Sequence, residues 1–542
     1  MDRTEFEVPQ PGRLLQGLTD SGLPVKESYG PEDVAGIDYV KDIGPPGSYP
    51  FTRGVHADMY RGRLWTRRNQ CGFGTPADTN ERIKYLFSQG QTGLSVSFDL
   101  ATHHGFDPDH PLAQNEAGRI GASVATMRDM EEMLEDIPID QVSLTLVTRP
   151  PASAVIVALL MSLAHKRGVD PATIQGTIMN DPFAQLAGAT IDTLTRFLPL
   201  EPTVELAVDV IEYCAHHMPR LNSIGINAYN MRETGISAVQ EAAFGLAAAI
   251  EIVERTLKRG LPIDQFAPRI SFYCSAGMDF FEEIAKFRAL RRMWARIVRE
   301  EFGAQNPRSW WFRFASQTAG LSLQAPQPLN NIVRTAIENL AAVLGGAQSV
   351  HTNAYDEPLS LPGEESVRTA LRTQQIVAYE TGAGRTTDPL GGSHFVESLT
   401  SQVEEATLKL LGEMRSRGGF LSCLQSGWIE GQITEARVNR QKDIDSGERL
   451  VVGVNAFTDG DGPPARVFRV SDEACQARVA SVREFKSNRD AGAAQKALAR
   501  VEATVGSGQN LMPAIVEAVN ASATLGEIAD SLRRAWGFRM EA

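Results

Sequence analysis

From about residue 90 the chain alternates between short segments with a two-residue hydrophobic period and longer segments with a helical period. The short segments predict β-strands beginning near Leu94, Val142, Gly176, Ile224, Ile270, Trp311 and Ser349, with a less clear eighth near Arg385. Helical segments such as ISAVQEAAFGLAAAIEIVERTLKRG separate them. This order predicts an α/β fold, a (β/α)8 TIM barrel. A doubly wound open sheet is the alternative, although no glycine fingerprint follows the first strand.

The predicted strands carry small or polar residues at alternate positions, where barrel strands usually carry large aliphatic ones. Members of this set are Ser95, Ser97, Ser143, Thr145, Thr177, Asn227 and Ser271. Period-two alternation places each group on one side of its strand. These side chains could face the surrounding helices, but the opposite, aliphatic side suits the helices better. We therefore expect an interior lined with small polar groups, wide enough for a ligand to run along the axis.

The sequence predicts three regions. Residues 1–80 form an N-terminal extended arm that includes an arginine-rich segment, and residues 81–400 form the barrel. Residues 401–542 form a charged linker and a helical C-terminal extension, which either packs on the barrel or docks another chain. The apolar stretch SAVIVALLMSLAHKRG is too short to span a membrane and predicts a buried helix.

Composition excludes several classes of protein. The 542-residue chain has a formal net charge of −13, which argues against general nucleic-acid binding. Its five cysteines are scattered without a C-x-x-C pair, which predicts a reduced cytoplasmic protein with neither disulfides nor a zinc site. The N-terminus lacks the features of a signal peptide, and no apolar run is long enough for a membrane span.

One segment departs from this acidic average. YPFTRGVHADMYRGRLWTRRNQCGFG, which begins at Tyr49, contains five arginines among aromatic residues and glycines. A solvated loop is the simpler interpretation of any single arginine. Five arginines in this setting favour a bound anion such as phosphate.

Several long motifs resemble those of a known family. They are YPFTRG…MYRGRLWTRR…GFGTPADTN, GQTGLSVSFDLATHHGFDPDHP, FAPRISFY, EIAKFRALRRMWA, NNIVRTAIENLAAVLGGAQSVHTNAYDE and DPLGGS. Together they resemble the large subunits of adenosylcobalamin-dependent acyl-CoA mutases, from about residue 30 almost to the end. The tail is more similar to the 2-hydroxyisobutyryl-CoA branch than to the methylmalonyl-CoA branch. The resemblance implies radical carbon-skeleton isomerisation of an acyl-CoA thioester inside a hollow barrel.

The resemblance also implies site residues. Positions expected to contact coenzyme A are His56, Met59, Arg63, Thr66, Arg68, Ser95, Thr177, Asn222, Arg269, Ser271 and Arg313, with His56 standing where the family usually has tyrosine. Positions expected to meet the adenosyl group or the corrin ring of the cofactor are Glu233, Gln317, Gly320, Asn353, Glu357 and Leu361. An ordinary polar cluster at the strand ends is the alternative for this second set.

Family members made of one chain carry a C-terminal cobalamin domain with a D-x-H-x-x-G motif. The last histidine in this sequence is His394, so the resemblance implies that a smaller partner subunit supplies the cobalt ligand. This chain itself is expected to hold no metal and to be inactive alone. The implied assembly is a cytoplasmic heterotetramer of two large and two small subunits.

The positions expected to surround the reacting acyl group depart from the methylmalonyl type. They are Gln70, Ser97, Met179, Ala189 and Asn230. Because Ala189 stands where the family has the arginine that pairs with a substrate carboxylate, a neutral branched or hydroxylated acyl group is expected. Two alternatives are a non-catalytic acyl-CoA-binding scaffold and an unrelated barrel lyase acting on a phosphorylated substrate.

Overall fold

The computed structural model describes residues 17–113, 116–183, 198–458 and 468–538. Its strands are β1 (Thr66–Arg67), β2 (Leu94–Ser97), β3 (Leu144–Val147), β4 (Gly176–Ile178), β5 (Leu221–Asn222), β6 (Ile224–Asn227), β7 (Ile270–Ala276), β8 (Phe314–Thr318) and β9 (Ser349–His351). They form two parallel sheets, in the orders β1-β9-β8-β7-β6 and β2-β3-β4-β5. The α/β class is thus confirmed, whereas the strand ladders do not confirm a closed barrel.

The two sheets meet along both edges. At one edge the Cys71 amide donates to the Ser95 carbonyl, and the Ser97 amide donates to the Cys71 carbonyl, each at 2.9 Å. At the other edge only Ser223 separates β5 from β6, and the Gly225 amide donates to the Met179 carbonyl at 2.7 Å. Neighbouring strands of different sheets are therefore joined by backbone hydrogen bonds.

Helices follow most strands, as the alternating pattern predicts. Those of the described residues are Pro76–Ser88, Leu100–His104, Met127–Met133, Ala152–Lys166, Leu200–His217, Ala228–Arg232, Ala238–Lys258, Ile263–Phe266, Phe280–Arg296, Asn330–Leu344, Glu364–Tyr379, His394–Ser416, Phe420–Gln425, Trp428–Asp445, Asp472–Asn488, Ala491–Thr504, Met512–Asn520 and Leu525–Ala535. The Ala238–Lys258 helix begins at a capping box, in which the hydroxyl of Ser237 accepts from the Gln240 amide and the Gln240 side chain accepts from the Ser237 amide.

Three details of the prediction are decided by the structure. The Ala152–Lys166 helix is buried over nearly its whole length, which confirms the prediction for the apolar stretch. The eighth strand predicted near Arg385 is wrong, because that segment forms turns, and β1 in the arginine-rich segment pairs with β9 instead. The first half of the predicted charged linker is helical as far as Asp445.

The side-chain alternation is confirmed. Leu94 and Val96 of β2 and Leu144 and Leu146 of β3 are at most 1% exposed and pack against the helices. Ser143 and Thr145 face the opposite way, into a cavity. The helices thus cover the aliphatic side of each strand, and the small polar side is left inside.

A buried ionic cluster anchors the helix behind β7. Lys286 is fully buried and donates to Glu241 at 2.6 Å, to the Ser275 carbonyl at 2.8 Å and also to Glu283. Both carboxylates are fully buried as well. Arg232 lies 3.9 Å from Glu241. Each charge is compensated only while its partners are present.

We expect Lys286→Ala to lower the free energy of unfolding by about 3–5 kcal/mol, because it removes the cation that hydrogen-bonds both buried carboxylates. The matched control is Lys84→Ala, which breaks the exposed ion pair with Asp136 and should cost about 1 kcal/mol or less. Urea unfolding followed by circular dichroism measures both. Equal losses for the two variants would contradict the structural role of the buried cluster.

Candidate active site

A cavity of about 980 Å³ runs along the inner sides of strands from both sheets. Small polar residues from the strands line it, including Thr66 of β1, Thr145 of β3, Thr177 of β4, Asn222 of β5 and Ser271 of β7. These side chains are short, so the space between the sheets stays open instead of being filled. The predicted hollow, polar interior is confirmed.

The cavity is strongly basic at the N-terminal ends of the strands. Its lining there includes Arg63, Arg220, Arg269, Arg308 and Arg313. Within the described residues these five arginines form no ion pair, although Asp58 and Asp264 also line the cavity. Asp264 instead accepts hydrogen bonds from Ser309, Gln305 and Asn306. Uncompensated guanidinium groups at an open mouth suit a multiply charged anion.

Arg313 shows how the basic end is held in place. Its Nη1 donates to the Pro268 carbonyl at 3.0 Å and to Asn222 at 3.2 Å, and Asn222 donates to Thr177 at 3.0 Å. Burial, with a smaller contribution from Arg269, lowers the pKa of Arg313 to about 10. The guanidinium therefore remains charged at neutral pH.

The arginine-rich segment divides into two kinds of residue. Arg63 lines the cavity, whereas Arg53 pairs with Asp388 at 3.1 Å, and Arg67 lies over the Tyr379 ring at 5.6 Å. Arg68 lines the cavity but is tied to its wall, since it donates to Thr145 at 2.7 Å and to Ser143 at 2.6 Å. Only part of the segment is thus available to an anion, and the rest stabilises the fold.

The inner end of the cavity is much less polar. Met179, Tyr229 and Tyr273 pack together there, with Val147 and Ala315 against them. The Tyr273 hydroxyl donates to Gln317 at 2.6 Å and accepts from Gln70 at 3.1 Å. An acyl chain reaching this end would meet an apolar wall with a few fixed polar groups.

A second polar cluster lies beyond this end, at the C-terminal ends of β8 and β9. Gln317 donates to Asn353 at 2.6 Å, and Asn353 donates to the Thr318 carbonyl at 2.8 Å and to the Tyr229 hydroxyl at 3.4 Å. A Cβ atom added at Gly320 would lie 2.8 Å from Oε2 of Glu233 and 3.3 Å from the Tyr229 hydroxyl oxygen, so the backbone of Gly320 approaches this cluster closely.

The other carboxylate oxygen of Glu233, Oε1, is buried and has no hydrogen-bond partner among the described residues. Burial is the main cause that raises the pKa of Glu233 to about 7, and the amides of Leu321 and Gly320 oppose the shift. Burial therefore makes the protonated form of the carboxyl more accessible than usual, and the group could donate a hydrogen bond to a ligand or accept one from it.

The structure brings most of the predicted residues to these sites, but not all. Every predicted coenzyme A position except Ser95 lines the cavity, as does Met179. Glu357 is exposed, and Leu361 pairs with Phe468 of the C-terminal region through a β-bridge.

The remaining predicted positions lie around the inner end or outside the description. Ser97 is the last residue of β2 and, by the two-residue alternation, points to the inner side of that strand. The backbone amide of Asn230 donates a hydrogen bond to the side-chain oxygen of Asn227 at 3.1 Å. Ala189 lies outside the described residues.

Sequence reasoning missed Tyr273, Tyr229, Arg220 and Arg308. Tyr273 stands two positions after Ser271, so the alternation already placed it on the inner side. Arg220 directly precedes β5, at the same strand end as Arg269 before β7. A search for basic residues directly before each strand would have found Arg220, whereas Arg308 lies in the turn Pro307–Trp310, six residues before β8.

Two negative observations apply to the described residues. No helix among them is long and apolar enough to cross a membrane. Nor do they contain a group of three or more histidine, cysteine or acidic side chains placed to hold a metal ion. The five cysteines are buried free thiols.

The two parallel sheets surround an open cavity, which has a basic mouth at one end and a cluster of polar side chains beyond the other. These features are typical of a protein that binds a long anionic ligand in its interior. Residues 18–538 match the family model for methylmalonyl-CoA mutase, and the chain belongs to that family.

Curated relatives agree with this assignment. The 2-hydroxyisobutanoyl-CoA mutase large subunit of Aquincola tertiaricarbonis is 41% identical over 98% of this chain and 94% of its own length. Methylmalonyl-CoA mutase of Rhizobium meliloti is 40% identical over 96% of this chain and 72% of its own length. The human mitochondrial methylmalonyl-CoA mutase is 38% identical, with 96% and 68% covered.

The raised pKa of Glu233 makes a prediction about stability. A carboxyl whose pKa rises on folding from its ordinary 4.5 to about 7 destabilises the fold progressively as pH increases through that interval. Glu233→Gln removes this penalty and should stabilise the protein at pH 8, by on the order of 3 kcal/mol at most, at about 1.4 kcal/mol per pKa unit. The gain should nearly vanish at pH 4.5. Urea unfolding at both pH values measures it, with exposed Glu448→Gln as the control, and a pH-independent gain would contradict the assignment.

Proposed function

We propose that this chain is the catalytic subunit of a radical acyl-CoA mutase that rearranges the carbon skeleton of an acyl-CoA thioester. The observation that carries the proposal is the single cavity that joins a basic mouth to a nearly apolar inner end beside a second polar cluster. Family membership supports the same activity. A non-catalytic acyl-CoA scaffold would need the cavity, but it would have no use for the cluster of Gln317, Asn353, Gly320 and Glu233 beyond it.

We infer that the two sheets close into one (β/α)8 barrel. If β5 and β6 are counted as one strand interrupted at Ser223, the nine strands become eight. Around the barrel these eight strands follow one another in chain order, and the last, β9, pairs with β1. Backbone hydrogen bonds from Cys71 and from Gly225 at the two edges support closure. In such a barrel the basic mouth and the inner cluster lie at opposite ends of the axis.

The proposed roles follow from this arrangement. Arg63, Arg269 and Arg313 hold the phosphates of coenzyme A at the mouth, and the small side chains of Thr177 and Ser271 leave room for its long arm. The thioester then lies near Met179, with Asn230 able to donate a hydrogen bond to its carbonyl oxygen. The enclosing walls exclude water from the reacting group.

The cofactor in this proposal is adenosylcobalamin. The buried, unpartnered Oε1 oxygen of Glu233 and the polar side chains around it fit a ligand with hydroxyl donors, such as the adenosyl group. Gln317, Asn353 and Glu233 would hold it, with Glu357 and Leu361 farther along the same face. When bound, the cofactor supplies the radical that initiates the rearrangement. The chain's own residues orient the substrate and keep the site closed to water.

We propose a separate small subunit as the carrier of the cobalt ligand. The A. tertiaricarbonis relative, of which this chain covers 94% of the length, is named a large subunit, and that name implies a small one. A heterotetramer of two large and two small subunits fits this name, and the buried free thiols fit a cytoplasmic location.

We propose a neutral branched or hydroxylated acyl group as the substrate. Met179 is apolar and lies at the inner end of the cavity, and Ala189 provides no cation for a second carboxylate. Gln70 and Ser97 supply hydrogen-bonding capacity. A substrate carboxylate there would lose hydration and would find no cation at position 189.

The basic mouth is tested by substitution. Arg63→Ala and Arg269→Ala should each weaken binding of butyryl-CoA, since each removes a charge-assisted hydrogen bond of about 1.5–3 kcal/mol. This corresponds to roughly tenfold or more in Kd. Arg61→Ala is the matched control, because Arg61 belongs to the same segment but does not line the cavity. Isothermal titration calorimetry measures all three, and unchanged affinity in both test variants would refute the coenzyme A site.

The substrate class is tested with a panel of thioesters, a cobalamin-binding small subunit and adenosylcobalamin. We expect a higher kcat/KM for 2-hydroxyisobutyryl-CoA, 3-hydroxybutyryl-CoA or isobutyryl-CoA than for methylmalonyl-CoA. Ala189→Arg should lower activity on the neutral substrate, because it adds an unpaired cation. A clear preference for methylmalonyl-CoA would show that another residue binds the carboxylate, and no turnover of any thioester would favour the scaffold.

A further inference from the structure

Tyr273 connects the cavity to the polar cluster beyond it. It lines the cavity, is only 8% exposed, and packs against Met179 and Tyr229. Its hydroxyl donates to Gln317 at 2.6 Å and accepts from Gln70 at 3.1 Å. Burial raises the pKa of Tyr273 well above its usual value, so the hydroxyl keeps its proton at neutral pH.

These contacts determine how the Gln70 amide is turned. Its Nε2 donates to the Tyr273 hydroxyl and lies 3.5 Å from the Gln317 oxygen. The backbone of Gln70 is also held, because its amide donates to His351 at 2.9 Å. With the amide nitrogen directed at Tyr273 and Gln317, the Oε1 atom points away from them. Within the described residues this oxygen accepts no hydrogen bond, which leaves it as an acceptor for a ligand.

We propose that Tyr273 orients Gln70 so that the Gln70 carbonyl oxygen recognises a hydroxyl group on the acyl chain. The inference rests on the proposed function, since it places the acyl group at the inner end of the cavity. An acyl chain without a hydroxyl would pack against Met179, Val147 and Ala315 but leave the Gln70 oxygen without a partner. Sites built to hydrogen-bond a hydroxyl discriminate against analogues that lack it for this reason.

Tyr273 acts here as a positioning residue, and Gln70 makes the contact. Tyr273→Phe removes a single oxygen and keeps the ring against Met179. The Gln70 amide then loses its strongest orienting partner and can present either its nitrogen or its oxygen to the acyl chain. Overall thioester affinity should change little, because the basic mouth is untouched, whereas the preference for a hydroxyl should be lost.

The experiment measures Kd values of 3-hydroxybutyryl-CoA and butyryl-CoA by isothermal titration calorimetry on the full chain. We expect the unmodified protein to bind the hydroxylated thioester about tenfold more tightly, which corresponds to about 1.4 kcal/mol. Tyr273→Phe should bring the two Kd values to within about twofold of each other. Tyr213→Phe is the matched control, because Tyr213 is equally buried and donates to Met161 in a different core.

Gln70→Met removes the acceptor itself and should also abolish the preference, so it decides the matter if Tyr273→Phe fails to fold. Equal affinities in the unmodified protein, or a preference that survives in either variant, would overturn the inference. Failure of both thioesters to bind would instead refute the proposed function.

Discussion

The hollow interior depends on one constraint: aliphatic side chains of the strands face outward to the helices, and mostly small polar ones face inward, with Tyr273 of β7 as a large exception. In β3, Leu144 and Leu146 pack under the helices, while Thr145 and the preceding Ser143 face the cavity. The helices thereby obtain the apolar surface that they need, which is the main stabilising contribution to such a fold. Because the interior does not supply that surface, it can remain open for a ligand.

The two ends of the cavity differ in charge. The cations Arg63, Arg269 and Arg313 lie at the N-terminal ends of the strands and form no ion pair within the described part of the chain. The opposite end relies on neutral hydrogen bonds among Tyr273, Gln317 and Asn353. A ligand that is anionic at one end and nearly neutral at the other therefore has a single favourable orientation. Coenzyme A thioesters have this distribution of charge.

The regions outside the strands support the site from behind. Asp20 of the N-terminal segment pairs with Arg232, next to the proposed site, at 3.0 Å and also with Arg449 of the C-terminal region. Arg232 ends the short helix that carries Asn230, and Glu233 follows directly. Segments that are distant in sequence thus hold the loop that positions two of the proposed site residues.

The sequence by itself determined the α/β class, most strands, the inward polar face and the family. These properties can be read from the sequence because the two-residue alternation and the family motifs each involve residues that are close together along the chain. Only the tertiary structure showed that β1, and not the segment near Arg385, pairs with β9, and that Arg53 and Arg67 stabilise the fold while Arg63 lines the cavity. It also revealed the hydrogen bond between Gln70 and Tyr273. Such facts depend on which partners the folded chain brings within reach, and residues 203 positions apart carry no local signal of their contact.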